Sequence, residues 1–273
     1  MTISHSVETH AAHIAHEYKN ITAMSKLEIT PDNMSKFHRF LDLLSNEHGS
    51  EFATGVLAQP DIQQIKPGIQ HLFSQASSLY ERHWAQRLIK SEDSATLLRQ
   101  EYPYFQHYER ATGLEINAIY SLANETVKNV LMVGSGALPL TSLALLNADL
   151  VVENLDINQS DLMLGKAVSE ALRPDKNMTF IHNDVCKQDQ LQQYDVIWLA
   201  ALVGDEKIKD QIIKHLFEHM RPGAQLVVRT AYNLRTLLYP SIDESGLLPF
   251  ALKLKVQTYA DNFHSILIAQ KPV

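Results

Sequence analysis

The chain has a single cysteine, Cys186, in 273 residues. One thiol excludes an intramolecular disulfide framework and fits a reducing compartment. Long apolar runs are missing too: no stretch reaches the roughly 18 to 20 residues needed to cross a bilayer. The N-terminus carries His5, Glu8, His10 and His13 but no basic segment followed by an apolar one, so no secretory leader is read there. These features predict a cytoplasmic protein. Net positive charge is also lacking; the formal charge is -7, so no global basic field would draw the chain to nucleic acid or anionic lipid. What is present is ordinary globular composition, 45% hydrophobic and 20% charged. Such a chain can bury a full core, in one large domain or two modest ones.

Two rhythms divide the chain. Up to about Leu122 the apolar residues recur at three- and four-residue spacing, as in Ser35 to Leu44, Ile65 to Ser78 and Tyr80 to Ile89. Breaks fall at Thr30-Pro31-Asp32, Gln59-Pro60-Asp61 and Tyr102-Pro103, the first two resembling helix starts. After Glu125 short apolar runs alternate with helical patterns. Strands are predicted at 129–133, 150–155, 178–181, 195–199 and 225–229, with helices at 139–146, 159–172 and 206–220. Strand, helix, strand in this order predicts a parallel sheet with crossover helices. Two last runs, 252–258 and 265–269, have no long helix between them and read as an antiparallel pair at the sheet edge. The expected fold is α/β: an all-helical part at 1–123 and a Rossmann-like, class I methyltransferase-type sheet at 124–273.

The sharpest local signal follows the first predicted strand, in Val133-Gly134-Ser135-Gly136-Ala137-Leu138-Pro139. Two glycines there permit a tight turn and a close backbone approach to a ligand, and the next helix offers its unpaired N–H groups. The third glycine of the dinucleotide fingerprint is absent, with Leu140 or Thr141 in its place. That favours S-adenosylmethionine over a pyrophosphate-bearing dinucleotide. Asp156 lies about 20 residues on, where a carboxylate can accept both ribose hydroxyl protons; its bland alternative is a helix cap. Asn183 and Asp184 follow the third strand, where such sheets contact adenine. Ala200, Ala201 and Leu202 end the fourth, small enough for substrate to lie against backbone. All of these sit at the carboxyl ends of parallel strands.

Several stretches together resemble nicotianamine synthase and the bacterial opine-metallophore synthases of staphylopine or pseudopaline type. They are Tyr102-Pro-Tyr-Phe-Gln-His-Tyr108, the 133–142 turn, Leu199-Ala-Ala-Leu-Val-Gly204, the 228–240 segment, and Tyr80-Glu81-Arg-His-Trp84. The likeness runs nearly continuously from about Thr30 to Lys271. It implies transfer of the 3-amino-3-carboxypropyl group of S-adenosylmethionine to an amine, with release of methylthioadenosine. It implies Glu81 as proton acceptor for the attacking amine, with Tyr108 as its neighbour and relay. Read from the residues alone, Glu81 is a solvated helical glutamate near Arg82 and Arg87.

The chemistry fits that implication. A sulfonium activates all three attached carbons, so the carbon presented to the nucleophile decides the product. Turning the γ-carbon toward an amine requires the methionine carboxylate and ammonium to be pinned. Tyr104 and Arg229, with backbone near Gly134, are candidates for the carboxylate; Arg229 reads equally as an ion-pair partner. The chain departs from the usual synthase pattern with His107 where Asn is frequent and Tyr232-Asn233 where His-Gly is common. Those departures are expected on the acceptor side and point to one transfer, onto histidine, whose product an opine dehydrogenase would consume. Repeated transfer of nicotianamine type, small-molecule N-methylation and a non-catalytic S-adenosylmethionine sensor are the alternatives. No metal is expected to be required, since in this family the product chelates. A homodimer is left open. His10, His13 and His16 read as a solvated helix face, and Cys186 as a packed or loop thiol.

Overall fold

Proline and short polar caps set the frame of the N-terminal helices. The computed structural model describes residues 2–24, 26–45, 48–257 and 264–273. Within them α1 spans Thr2–Thr22, α2 Pro31–Leu43, α3 Ser50–Leu57, α4 Pro60–Lys90, α5 Ser94–Glu101 and α6 Phe105–Leu122. Thr30 caps α2 by accepting from the Asn33 N–H, and Pro31 and Pro60 occupy the first helical position of α2 and α4. There the missing N–H costs nothing and the fixed φ preorganises the turn. The two helical patterns either side of Leu79 are one helix. Nothing between them caps or breaks a helix, so α4 runs ~46 Å at the usual rise per residue.

The second half is the expected sheet. Its strands are β1 Asn129–Val133, β2 Val151–Asp156, β3 Thr179–His182, β4 Val196–Leu199, β5 Gln225–Thr230, β6 Ala251–Val256 and β7 Ser265–Gln270. They lie in the order β3-β2-β1-β4-β5-β7-β6. The first five are parallel, and β7 pairs antiparallel with both β5 and β6, closing the edge as expected. Thr258, the end of the run predicted for β6, lies outside the described residues. Helices α7 (Leu140–Asn147), α8 (Gln159–Leu172) and α9 (Glu206–His219) make the crossovers. No helix among the described residues is long and apolar enough to cross a membrane.

Central strands bury both faces, which is why they read as continuous apolar runs. One face packs Leu131, Ile197, Leu226 and Val228 on Ile212 and Leu216 of α9. The other packs Met132, Trp198 and Val227 on Leu145 of α7 and on Ala118 and Ile119 of α6. The helical and sheet parts share their apolar clusters. Phe40, Ile62 and Ile69 pack with Leu234, Leu237 and Tyr239 from beyond β5, while Trp84 and Leu88 of α4 pack with Leu138, Leu140 and Val168. A bidentate ion pair adds direction: Arg82 of α4 donates to both Asp161 oxygens of α8 at 2.5 and 2.8 Å.

The N-terminal histidines do not all behave as a solvated face. His13 and His16 are exposed, but His10 turns inward, with Nε2 2.8 Å from the Leu43 carbonyl and its ring 4.8 Å from that of His48. Burial holds its pKa below the ordinary histidine value.

Gly165 lets α8 lie on the β1–α7 turn: a Cβ there would meet the Gly136 carbonyl oxygen at 2.7 Å. Overpacking of this kind costs about 1–3 kcal/mol, more than the roughly 1 kcal/mol that alanine gains in a helix. Gly165→Ala is therefore expected to lower the melting temperature by several degrees and to weaken nucleotide binding. A melting temperature equal to or above that of the parent would show that α8 can move away freely.

Candidate active site

A cavity of about 550 Å³ opens at the carboxyl ends of the parallel strands, walled by α4 and the start of α6. Its floor is the β1–α7 turn. Gly134 and Gly136 adopt φ of +79° and +66°, a left-handed conformation that favours glycine. A side chain at Gly134 would also collide with Val203. The turn is tied to β2: the Gly134 N–H donates to the Leu155 carbonyl at 2.8 Å, and the Gly136 N–H to Asp156 Oδ2 at 2.9 Å.

Asp156 holds two backbone donors, since Oδ1 accepts from the Asn158 N–H at 2.8 Å. Each oxygen has a second lone pair to offer. It thus orders the loop while remaining able to accept from a diol. Asp184 caps the short turn Val185–Lys187 through Oδ1, and Asn183 donates to Gln188 Oε1 at 2.9 Å. Both line the cavity, as do Ser135, Pro139, Ala200, Ala201 and Leu202. The Ser135 hydroxyl is buried and finds no hydrogen-bond partner among the described residues. Behind Ala201, the fully buried Lys209 donates to the Ala201 and Pro240 carbonyls, both at 2.6 Å. Burial draws its pKa down to about 8.

Glu81 projects from α4 against this turn. A Cβ on Gly136 would lie 2.6 Å from Glu81 Oε2, so glycine is needed for the carboxyl to reach the cavity floor. Burial pushes the Glu81 pKa up to about 8, aided by the negative Asp161 and Asp156 and opposed by the Ala137 N–H and Arg82. An acid in that range can both hold and accept a proton near neutrality. Tyr108 also lines the cavity; burial first, and Glu81 second, raise its pKa to about 12. Burial and Tyr80 do the same for Tyr104, whose hydroxyl is 3.5 Å from His38 Nε2. Both phenols remain protonated donors at neutral pH. Tyr80 and Tyr102 pack edge-on to Tyr104, with Tyr102 and Tyr104 centroids 5.8 Å apart, Trp84 packs edge-on behind both, and Tyr102 lies tilted against Tyr108.

Two expected site residues stay out of the cavity lining, and Arg229 takes up the ion pair that was one of its two readings. His107 is buried but does not line the cavity. Consecutive helical residues point about 100° apart, so the face of α6 that presents Tyr108 turns His107 away. Tyr232 precedes the short turn Asn233–Leu237 and also stays out of the lining; Tyr239, from the same segment, enters instead. Arg229 does line the cavity, yet it is committed to the core. Its Nε and Nη2 donate to the two Glu115 oxygens at 2.9 and 2.7 Å, Nη1 to Thr141 at 2.7 Å and Nη2 to Thr112 at 3.3 Å. Of the two readings open for Arg229, the ion pair is realised.

The sequence reading missed Glu115, Thr141, His264 and Tyr239. A signal for Glu115 was available: with Thr112, Ala118 and Ile119 it recurs at three- and four-residue spacing on a buried face, where a lone glutamate requires a cation. Burial would raise its pKa, but Arg229 and His264 hold it down at about 2. His264 Nε2 lies 3.3 Å from Glu115 Oε1.

Comparison with known proteins decides the family. The family model described as nicotianamine synthase protein matches residues 3–273. The chain belongs to the nicotianamine synthase family. It is 35% identical over 217 residues to nicotianamine synthase of Solanum lycopersicum, covering 77% of this chain and 68% of that protein. It is 32% identical over 219 residues to nicotianamine synthase 1 of Arabidopsis thaliana, with the same shares covered. The fold matches MtNAS crystallised with MTA and tNA at TM-score 0.83 and 19% identity, covering 96% of this chain and 97% of that one. A Glu-to-Gln mutant of MtNAS in complex with S-adenosylmethionine matches at TM-score 0.80 and 18% identity, over 96% and 98%. As a member of the nicotianamine synthase family, the chain is an S-adenosylmethionine-dependent aminocarboxypropyltransferase, with S-adenosylmethionine as co-substrate.

The Arg229–Glu115 pair makes a stability prediction. Glu115 is held below its unfolded value, so the stability it contributes is present above about pH 4.5 and is lost as pH falls toward 2. Arg229→Met leaves that carboxylate buried without its guanidinium, with only the Trp198 N–H at 3.1 Å and His264 at 3.3 Å beside it among the described residues, and should cost about 3–5 kcal/mol at pH 7. Arg229→Met with Glu115→Gln should recover much of the loss. Urea unfolding at pH 7 and pH 4 measures both, and the gap between parent and single variant should narrow at the lower pH.

Proposed function

We propose that this enzyme transfers one aminocarboxypropyl group to the α-amine of histidine, releasing methylthioadenosine and supplying an opine-type metallophore route through an opine dehydrogenase. The observation that carries the mechanism is Glu81: a carboxyl with its pKa at about 8, set beside the Gly136 turn in the same cavity as Asp156 and Asp184.

In this reading residues 124–273 hold the nucleotide and residues 1–123 supply the acceptor side. Asp156 accepts from the ribose hydroxyls, and Asn183 and Asp184 face the adenine. Gly134, Ser135, Gly136 and Pro139 bring backbone and hydroxyl close to the methionine portion, while Ala200, Ala201 and Leu202 leave room along β4. With Arg229 engaged by Glu115, the donor for the methionine carboxylate is Tyr104. Glu81 binds the incoming ammonium, accepts its proton, and so frees a lone pair. The nitrogen attacks the γ-carbon, the N–C bond forms, and the C–S bond breaks with its electrons returning to sulfur. Tyr108 donates to the carboxylate and positions it.

The cavity continues past Glu81 along Leu27, Glu28, Phe37, His38 and Phe73. That mixture of apolar wall, one carboxylate and one imidazole suits the ring of a histidine acceptor, which has both a donor and an acceptor nitrogen. The acceptor assignment therefore rests on His38 and Glu28 instead of His107 and Tyr232. Repeated transfer of nicotianamine type is the second reading, favoured by the names of the relatives above.

Incubation with S-adenosylmethionine and histidine is expected to yield methylthioadenosine and a singly aminocarboxypropylated histidine by mass spectrometry. S-adenosylhomocysteine in its place would reject the transfer, and nicotianamine formed from S-adenosylmethionine alone would reject the acceptor. Glu81→Gln should reduce turnover by at least a hundredfold while nucleotide binding persists; parent-like turnover removes Glu81 from the mechanism. Because its pKa is raised, the free enzyme carries protonated Glu81 below about pH 8. The value of kcat/KM should rise with pH through that point, and a flat profile from pH 6 to 9 would contradict the assignment.

A further inference from the structure

Among the described residues, Asp189, His215 and His219 bring one ligand atom each to within 4.8 Å of one another. None of the three lines the cavity. His215 and His219 stand one turn apart near the end of α9, and Asp189 lies in the loop that follows the turn Val185–Lys187. We propose that these three side chains form a binding site for one divalent transition-metal ion of the zinc class, separate from the transfer site.

The ring hydrogen bonds prepare each imidazole for this role. His219 Nδ1 lies 2.9 Å from the His215 carbonyl, and His215 Nε2 lies 3.1 Å from the Gln188 carbonyl. A carbonyl oxygen only accepts, so each of these nitrogens carries the proton. The other nitrogen of each neutral ring then presents a lone pair. Donation from the second nitrogen to a backbone carbonyl is the usual support of a metal-bound histidine. For His219 the lone-pair nitrogen is Nε2, which faces Asp189 Oδ1 at 3.6 Å. That gap is long for a hydrogen bond but close to the ~3.3 Å separating two ligands on a tetrahedral ion with bonds of about 2.0–2.1 Å. The two rings are stacked with centroids 4.2 Å apart and planes 28° apart, so the His215 ring must turn to aim its lone pair, which lies in the ring plane, at the third position. Two imidazoles and a carboxylate suit zinc, nickel or copper better than magnesium or calcium, and three protein ligands leave a position for water.

An ion there would brace the loop that lines the nucleotide end of the cavity. Gln188 receives His215 on its carbonyl and Asn183 on its side-chain oxygen at 2.9 Å. A metal on Asp189 thus fastens to α9 the same short segment that presents Asn183 and Asp184.

The test uses the full chain without an affinity tag. Titration with Co²⁺ is expected to give a visible d–d absorption band saturating at one ion per chain, displaced by Zn²⁺, with a higher melting temperature in the Zn²⁺-loaded protein. His215→Ala with His219→Ala should abolish the band, and Asp189→Asn, a change at an exposed side chain that leaves the fold undisturbed, should weaken Zn²⁺ binding at least tenfold. His13→Ala with His16→Ala should leave both readouts as in the parent. The proposal is overturned if the parent takes up neither ion at micromolar concentration, or if either the α9 double variant or Asp189→Asn binds as the parent does. These are binding readouts, so they stand or fall independently of the acceptor and of Glu81.

Discussion

The site depends on one close approach: the Glu81 carboxyl of α4 against a turn that carries no side chain. Gly136 must lack a Cβ for Glu81 to sit there, and Gly165 must lack one for α8 to pack beneath the same turn. The Arg82–Asp161 pair clasps α4 to α8 and so places Glu81 one residue away. Desolvation of the carboxyl in that seat, reinforced by Asp156 and Asp161, is what raises its proton affinity. Geometry and acidity therefore have the same origin. A glutamate on a solvated face of the same helix would have neither.

Two carboxyl groups of the helical part, Glu81 on α4 and Glu115 on α6, play opposite parts. Glu115 is kept ionised by Arg229 and His264, whereas Glu81 is pushed toward neutrality by burial, with Asp161 and Asp156 adding to it. The contrast separates an anion held by its cations from a carboxyl kept near neutrality within one region. Lys209 adds a third case, a buried cation whose two carbonyl partners hold the end of the Ala200–Leu202 segment against the loop at Pro240.

Much of the fold was legible because parallel strands buried on both faces leave unbroken apolar runs, and prolines mark the starts of α2 and α4. β1 and α8 match their predicted spans to the residue. The glycine turn, Asp156 and Asp184 were legible because their place at strand ends follows from the order of elements. The placement of His107 was not, since it depends on which face of a helix points inward. His107 and Tyr108 are neighbours in sequence, yet the helical turn sends only one to the cavity. Arg229 was ambiguous because its partner, Glu115, lies more than a hundred residues earlier and is visible only as a charge on an apolar stripe.

The helical part does not close its own core. Phe40, Ile62 and Ile69 are completed by Leu234, Leu237 and Tyr239, contributed from beyond β5. Anyone wishing to graft the helical wall of this cavity onto another sheet would have to transplant the 231–239 segment along with the helices. The wall is a composite of distant chain regions, and neither piece buries its apolar face without the other.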